Sequence, residues 1–276
     1  MNHKLLNIHT HPLTSCCLHN AFYLQNNHKA EEYFINPKGT VGINIILEGE
    51  CVYVYDTHTL SLPSVWVFGL IDKPLHSKIS ANYRAVGFRF KPEFFQMILK
   101  GKMPQLKNQV IALNDFMSAT ESDRLLNKLS VCNNEWGMME AFNTFLQRNL
   151  ISKSLDPRVE FALSKIRNEF ACNIDNLSHE LNISTTRLRT LFYNHIGIAP
   201  KELIKIYRLQ RALKAGMGKQ NNLTQLAYSL GYYDQSHFIH EFKEFLGMSP
   251  LKYFTNKKLT YDFYNFDRWR LDSFEL

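Results

Sequence analysis

The chain has 276 residues, of which 45% are hydrophobic and 21% charged, with a formal net charge of +7. These ordinary globular values exclude a disordered or collagen-like chain, and at about 100–200 residues per domain the length allows one or two domains. The longest apolar runs are far shorter than the roughly 18 residues of a membrane helix, and the start is too polar for a signal peptide. The five cysteines do not form a disulfide framework, so we expect a soluble cytoplasmic protein with reduced thiols and no membrane partner.

The first 116 residues contain short runs rich in Val, Ile, Tyr and Phe, bounded by turn signals about ten residues apart. This spacing is typical of a small antiparallel barrel or sandwich. The predicted strands are Val41–Leu47, Cys51–Tyr55, Val65–Ile71 and Tyr83–Phe90. A short helix is predicted after them at Glu93–Leu99.

From Ser122 onward the apolar residues follow helical spacing. Asp156 followed by Pro157 is a typical helix start, with Asp as the N-cap and Pro in the first turn. We therefore expect two domains, at 1–155 and 156–258.

An internal repeat dominates the second domain. Phe192, Gly197 and Pro200 recur with the same spacing as Phe242, Gly247 and Pro250, fifty residues further on. The likeness extends upstream, where each unit has a small residue, Ser178 or Ala227, then a turn residue, Asn182 or Gly231, and then a polar cap, Ser184 or Asp234.

Each unit reads as two short helices joined by a tight turn. Steeply crossing helices need a small residue where they touch, and the turn needs a residue that tolerates left-handed dihedral angles. That combination predicts a helix-turn-helix, whose second helix enters the major groove of DNA.

The excess positive charge lies in this repeat. From Ser184 to Lys258 there are 12 Lys and Arg against 4 Asp and Glu, a net charge of +8. A solvated helical face could also carry such charge, but with two tandem motifs it indicates a nucleic-acid surface. Between the motifs, Pro200 to Lys214 reads as one helix of about 22 Å, long enough to set two reading helices about one duplex turn apart.

Residues 158–256 resemble the DNA-binding domain of the AraC/XylS family of bacterial transcription regulators. The most specific stretch runs from Leu226 to Lys243 and ends in Gly247-Met248-Ser249-Pro250. Tyr232 stands where a phenylalanine is commoner in the family. The resemblance implies a regulator rather than an enzyme, without a cofactor, and with duplex DNA as its partner; an activator would also contact RNA polymerase.

The resemblance also implies which side chains touch DNA, namely those on the exposed face of each second helix. Arg189 is the strongest candidate because a guanidinium can pair bidentately with guanine. The remaining candidates are Thr186, Thr190, Gln235, Ser236, Ile239, His240 and Lys243. We expect Leu188, Leu191, Phe192, Phe238 and Phe242 to face the core instead.

The strand-rich half is similar to the cupin-like sensor domains of the same family, through Pro37-Lys38-Gly39 and the segment Val86–Pro92. The expected fold is thus α+β with two domains: a small antiparallel cupin-like β-barrel with flanking helices, followed by an all-α tandem helix-turn-helix domain. An effector pocket would be lined by Trp66, Phe68, Phe88 and Phe90, although any of these residues could equally be core.

Two alternatives involve a metal. His9-Thr10-His11-Pro12 resembles the start of amidohydrolase barrels, but such a barrel needs about 250 residues and only about 155 remain outside the DNA-binding part. His9, His11, Cys16, Cys17 and His19 could form a small zinc site, although their spacing matches no known pattern. A cupin oxygenase would need two His and a carboxylate, and the four predicted strands contain no His. We therefore expect no metal, with a metal-dependent enzyme or zinc sensor fused to a DNA-binding domain as the alternative.

Two expectations concern assembly and the C-terminus. The helices between Ser122 and Ile151 have broad apolar stripes and are the expected surface of a homodimer. The tail at 259–276 has six aromatic residues among 18 and a net charge of −2, so we expect it to pack on the basic domain or to bridge to the sensor half.

Overall fold

A computed structural model describes residues 2–99, 103–151, 155–169, 172–216 and 223–255 of the chain. The predicted packing of the tail at 259–276 lies outside the described residues. The described residues of the N-terminal part form ten strands: β1 Asn2–Leu6, β2 Leu18–Asn26, β3 Glu31–Ile35, β4 Val41–Glu48, β5 Cys51–Val54, β6 Thr59–Ser61, β7 Val65–Phe68, β8 Leu75–Ile79, β9 Tyr83–Phe90 and β10 Val110–Ala112.

The strands form two antiparallel sheets. A six-stranded sheet has the order β1-β2-β9-β4-β7-β10, and a four-stranded sheet has the order β3-β8-β5-β6. The predicted small antiparallel domain is confirmed, as two sheets facing each other. Of the four strands predicted from the sequence, β7 ends at Phe68 rather than Ile71. The chain passes close to Leu106 at Gly69, where an added Cβ would lie 2.0 Å from Leu106 O.

The six-stranded sheet is buried on both faces. Its inner face packs on the four-stranded sheet in a cluster that includes Phe22, Trp66 and Tyr53. Its outer face packs on a helix, where the rings of Phe88 and Phe142 are parallel with centroids 3.4 Å apart. A strand buried on both sides reads as a continuous apolar run, which explains why β4 and β9 were predictable.

Within the described residues, four α-helices accompany the sheets and seven follow. They are α1 Pro12–Cys17, α2 Pro92–Leu99, α3 Ala119–Ser130, α4 Glu135–Asn149, α5 Pro157–Asn168, α6 Ile174–Glu180, α7 Thr185–Ile196, α8 Pro200–Gly216, α9 Leu223–Ser229, α10 Gln235–Leu246 and α11 Pro250–Thr255. The predicted helical C-terminal part is confirmed. In the described part of the chain, no helix has the length and apolar character needed to cross a bilayer.

The sheets and the C-terminal helices contact each other through several polar groups. Glu93 of α2 is buried and pairs with Arg167 of α5. His195 Nδ1 of α7 lies 3.1 Å from Gln96 Oε1 of α2, and Asn36 Nδ2 donates to Tyr253 Oη of α11 at 2.6 Å. The N-terminal part therefore touches both ends of the helical repeat.

Candidate nucleic-acid interface

The first helix-turn-helix unit consists of α6 and α7. The turn residue Asn182 has a φ of +50°, and Ile183 N donates to Ser178 O at 3.1 Å across the turn. Ser178 is buried where the helices meet, and Ser184 caps α7 by accepting a hydrogen bond from Arg187 N at 3.1 Å. The roles predicted for these small, turn and cap residues are confirmed.

The second unit, α9 and α10, repeats this arrangement. Gly231 has a φ of +76°, and Tyr232 N donates to Ala227 O at 3.0 Å. Ala227 is fully buried, and Asp234 caps α10 by accepting from His237 N at 2.7 Å. The same backbone bond closes both turns, so the internal repeat in the sequence is a structural repeat.

Helix α8 follows the first unit and precedes the second. Its 17 residues span about 25 Å at 1.5 Å per residue. Its buried residues include Leu203, Ile206, Leu209 and Ala212. The residues predicted to face the core of the reading helices are buried as well: Leu188, Leu191, Phe192, Phe238 and Phe242.

The predicted DNA-contacting residues of α7 are all exposed. Thr186, Arg189 and Thr190 lie on one face, and Thr190 Oγ1 donates to Thr186 O at 3.1 Å. Sequence reasoning missed Tyr193, which lies one turn beyond Thr190 on this face and is 53% exposed. The signal was present in the helical spacing of positions 186, 190 and 193. Four side chains of α7 thus line one open surface.

The residues of α10 divide into two groups. Ser236, His240 and Lys243 are exposed. Gln235 and Ile239 are half-buried: Gln235 Oε1 accepts a hydrogen bond from Thr224 Oγ1 at 2.6 Å, and Ile239 packs against the core. Bidentate reading of adenine by Gln235 would require release of Thr224.

A buried polar pair holds α10 against the turn before it. Tyr232 Oη donates to Glu241 Oε1 at 2.6 Å, and both residues are buried. Lys205 Nζ of α8 lies 3.9 Å from Glu241 Oε2. Burial, together with the neighbouring carboxylate, raises the pKa of Tyr232 well above its usual range, so the phenol remains a donor.

The predicted effector residues do not lie on one surface. Trp66 and Phe68 face the interior between the sheets, where Phe68 lies beside Arg89 with the guanidinium carbon 4.3 Å from its ring centroid. Phe88 and Phe90 are on the opposite face of β9, packed on Phe142. The alternation of side chains along a strand separates the two pairs.

Two of the residues considered as metal ligands, His9 and His11, contact other side chains instead. His9 Nδ1 lies 3.0 Å from Ser15 Oγ, and the ring of His11 packs on Trp136. The four strands predicted from the sequence contain no His, whereas among the strands that were not predicted β2 carries His19 and β8 carries His76. Within the described ranges, no three His, Cys, Asp or Glu side chains are grouped closely enough to hold a metal ion.

Two family models match the chain. Residues 177–256 match a helix-turn-helix domain, and residues 12–112 match a domain of unknown function, DUF6597. Among curated proteins, the raffinose operon transcriptional regulatory protein RafR of Pediococcus pentosaceus is 32% identical over 107 residues, covering 38% of this chain and 38% of that protein. The invasion protein InvF of Salmonella typhi is 34% identical over 76 residues, covering 28% of this chain and 35% of that protein.

The chain thus spans little more than a third of the length of these two relatives. Among solved structures, ToxT from Vibrio cholerae aligns over 84% of this chain and 98% of its own, with 14% identity and a TM-score of 0.46. The match over residues 177–256 confirms the helix-turn-helix domain predicted from the sequence.

Proposed function

We propose that the protein is a transcription regulator that reads a specific duplex sequence with α7 and α10. The observation that carries this proposal is the exposed face of α7, where Arg189 stands between Thr186 and Tyr193 in a segment with a net charge of +8. Positive charge attracts the phosphate backbone, and an exposed reading helix supplies base contacts.

The side chains have distinct roles in this proposal. Arg189 pairs with the O6 and N7 atoms of a guanine, and the methyl groups of Thr186 and Thr190 suit a thymine methyl. On α10, Ser236 and His240 face the bases, and Lys243 pairs with a phosphate. Gln235 and Ile239 contribute less, because one is tied to Thr224 and the other is packed on the core.

The connection between the helices sets the geometry of binding. With α8 as a strut of about 25 Å, the two reading helices can enter adjacent major grooves, about 34 Å apart, on one face of the duplex. A single chain would then cover two half-sites. We place the DNA-binding domain at residues 156–258 and the effector-responsive domain at 1–155.

The test is selection of duplexes from a random library, followed by fluorescence anisotropy with the selected site. We expect affinity that falls steeply with salt, because counterions are released from the phosphates. Arg189→Ala is expected to cost about 1–3 kcal/mol and to relax the preference at one base pair.

Arg84→Ala is the matched control, since Arg84 is a surface arginine of β9 paired with Glu48 and the change in charge is the same. It should leave both affinity and base preference unchanged. Equal affinity for all duplex sequences, before and after the change at Arg189, would contradict the proposal.

Further partners follow from this function. We propose a small-molecule effector, a cytoplasmic location, and RNA polymerase as a partner if the protein activates transcription.

We also propose a homodimer through α3 and α4. The apolar stripe of α4 is buried against the sheet, so the dimer contact would use the exposed side chains of Val131 and Trp136 instead. Sedimentation of the full chain as a strict monomer at high concentration would contradict the dimer.

A further inference from the structure

The N-terminal part contacts the first helix-turn-helix unit at the end of its reading helix. His195 lies in the last turn of α7, and its Nδ1 is 3.1 Å from Oε1 of Gln96, a fully buried residue of α2. Gly197 ends α7 so close to another segment that an added Cβ would lie 2.7 Å from Met103 O. These contacts lie at the opposite end of α7 from Thr186 and leave the reading face exposed.

A second contact lies at the other helix-turn-helix unit. Asn36, in the loop between β3 and β4, donates from Nδ2 to Tyr253 Oη of α11 at 2.6 Å, and both residues are buried. The ring of Tyr253 lies edge-on to the ring of Phe242, with centroids 5.6 Å apart. Phe242 belongs to the buried face of α10. A displacement of the loop would therefore reach the second reading helix through one aromatic side chain.

The same loop also contacts α8, which lies between the two units. Gln210 of α8 donates from Nε2 to Pro37 O, and an added Cβ at Gly39 would lie 2.8 Å from the ring of Tyr207. Because glycine has no side chain, the loop and the helix can approach each other this closely. The loop at 36–39 is thus held by side chains of both α8 and α11.

Two paired strands join these contacts inside the N-terminal part. The loop leads into β4, whose first residue, Val41, pairs with Phe90, the last residue of β9. Helix α2 begins two residues later at Pro92 and carries Gln96. Val41 and Phe90 are both fully buried, and the register of their strands fixes the position of the loop relative to α2.

We propose that the N-terminal part braces the two helix-turn-helix units and thereby determines which half-site spacing the protein accepts. The brace consists of the loop at 36–39, the paired ends of β4 and β9, and α2. The inference rests on the proposed function, since it specifies the DNA that α7 and α10 would read together. Asn36, Gln96 and Tyr253 are positioning residues, because they act on DNA only through the helices that they hold.

The brace adds a restraint that α8 alone does not provide. Two units joined along one helix can still tilt at either end of it, whereas a second connection closes a ring of contacts and removes that freedom. The ion pair between Lys205 of α8 and Glu244 of α10, at 2.9 Å, is open to solvent and restrains the second unit weakly. The hydrogen bond between Asn36 and Tyr253 is buried, so water does not compete for it.

Half-site spacing is sensitive to such a restraint. One base pair moves a half-site by about 3.4 Å along the duplex and rotates it by about 35°. A unit held by the brace cannot follow this shift without breaking a contact, so a change of spacing should weaken binding. With the brace released, the second unit can follow the displaced half-site, and the loss of affinity becomes smaller.

The test compares the selected duplex with duplexes whose half-sites are one base pair further apart or closer together. Fluorescence anisotropy with the full chain gives the ratio of dissociation constants between altered and selected spacing. For the original chain we expect a ratio of at least about ten, because the contacts of one half-site are lost. In Asn36→Ala/Gln210→Ala, which removes the hydrogen bonds to Tyr253 and Pro37, the ratio should fall to about three or less.

Two further variants separate positioning from folding. Asn27→Ala/Gln147→Ala removes the same side-chain types from exposed positions of the N-terminal part and should keep the original ratio. Tyr253→Phe removes one hydroxyl group and retains the ring beside Phe242, so we expect an intermediate ratio. A loss of stability alone would lower the active fraction equally for every duplex and leave the ratio unchanged.

The inference and the proposed function fail in different ways. An unchanged ratio in folded Asn36→Ala/Gln210→Ala would overturn the brace, and Tyr253→Phe decides in the same way if the double variant does not fold. An original chain that binds all three spacings equally would also overturn it. If no preferred sequence is selected, the regulator proposal itself is wrong, and the brace falls with it.

Discussion

The buried carboxylate of Glu241 depends on the hydroxyl group of Tyr232 for a hydrogen-bond donor. The sequence suggested only that Tyr232 replaces a packed phenylalanine, a mild change. In the structure its hydroxyl group donates to the buried carboxylate of Glu241, with Lys205 nearby. The position of Glu241 in the sequence, on a helix with an exposed face, contains no sign of this bond.

We predict that Tyr232→Phe lowers the free energy of unfolding by about 1–3 kcal/mol, because it leaves a buried carboxylate without its donor. Chemical denaturation of the full chain measures this. Tyr232→Phe/Glu241→Gln should recover part of the loss, since no charge is then left unpaired in the core. Equal stability of Tyr232→Phe and the original protein would contradict the role of the pair.

A second prediction at the scale of residues concerns the adjacent thiols of α1. Cys16 is exposed, whereas Cys17 is buried, and burial beside Cys16 raises the pKa of the Cys17 thiol to about 12. Since the thiolate is the reactive form, iodoacetamide at pH 8 should label Cys16 well before Cys17. Peptide mapping by mass spectrometry distinguishes them, with Cys16→Ser as control. Labelling of both thiols at one rate would contradict the burial of Cys17.

The elements of the chain differ in how far local sequence determined them. The helices of the C-terminal domain have caps, turn residues and periodic apolar positions within a few residues, and those signals predicted them. Strands such as β1, with Asn, His and Lys, or β6, which is exposed throughout, have no such pattern and depend on partners distant in sequence. The recognition helices were therefore predictable, whereas the surroundings of a sheet residue such as Arg89 depend on the register of strands that are distant in sequence.

The N-cap of α5 gives a prediction with a pH dependence. Asp156 accepts hydrogen bonds from both the side chain and the backbone N–H of Arg158, and these bonds lower its pKa to about 2. A lowered carboxyl pKa stabilises the folded state above about pH 4 and loses this effect as the pH falls towards 2. Asp156→Ala should cost about 1 kcal/mol at pH 7.

The measurement is the melting temperature of Asp156→Ala and the original chain as a function of pH. Their difference should be constant near neutral pH and shrink below about pH 4. Asp156→Asn keeps an acceptor for the cap and should fall between the two at pH 7. A difference that grows on acidification would contradict the assignment.

Each of the two recognition helices ends in a glycine, at equivalent positions of the repeat. Gly197 ends α7 with a φ of +89°, and Gly247 ends α10 with a φ of +70°. An added Cβ would lie 2.7 Å from Met103 O at Gly197, whereas at Gly247 nothing lies within 4 Å. The two glycines thus have the same left-handed backbone conformation, but only Gly197 is in close contact with another segment of the chain.

We predict that Gly247→Ala costs about 1–2 kcal/mol, the strain of a left-handed alanine. Gly197→Ala should cost more, because the backbone of Met103 must also move. Denaturation of both variants tests the order, and DNA binding by Gly247→Ala should persist. Equal losses would show that the segment at Met103 does not press on the end of α7.

At the scale of the whole molecule, the two parts of the chain share a contact surface that includes a buried ion pair. Glu93 of α2 is 8% exposed and pairs with Arg167 of α5, and Arg167 Nε also lies 3.3 Å from Tyr207 Oη. A second pair, Lys107 with Glu202, crosses the same surface at 2.8 Å and is more exposed, with both residues half-buried. Removal of one partner from a buried pair costs more than from an exposed pair, because it leaves an uncompensated charge away from water.

The last prediction is therefore that Glu93 couples the unfolding of the two parts. In Trp136→Phe/Trp269→Phe, which keeps Trp66 out of the three tryptophans, fluorescence reports on the sheets and should follow the same urea transition as helical circular dichroism. Glu93→Gln weakens the bond to Arg167, so the two transitions should separate. Lys107→Gln removes the more exposed pair together with the 3.5 Å contact of Lys107 with Asp72; this loss is expected to be about 1 kcal/mol or less and should keep the transitions coincident. Coincident transitions at an unchanged midpoint in Glu93→Gln would mean that the two parts are held together without this pair, and that other contacts, such as Asn36 with Tyr253, join them.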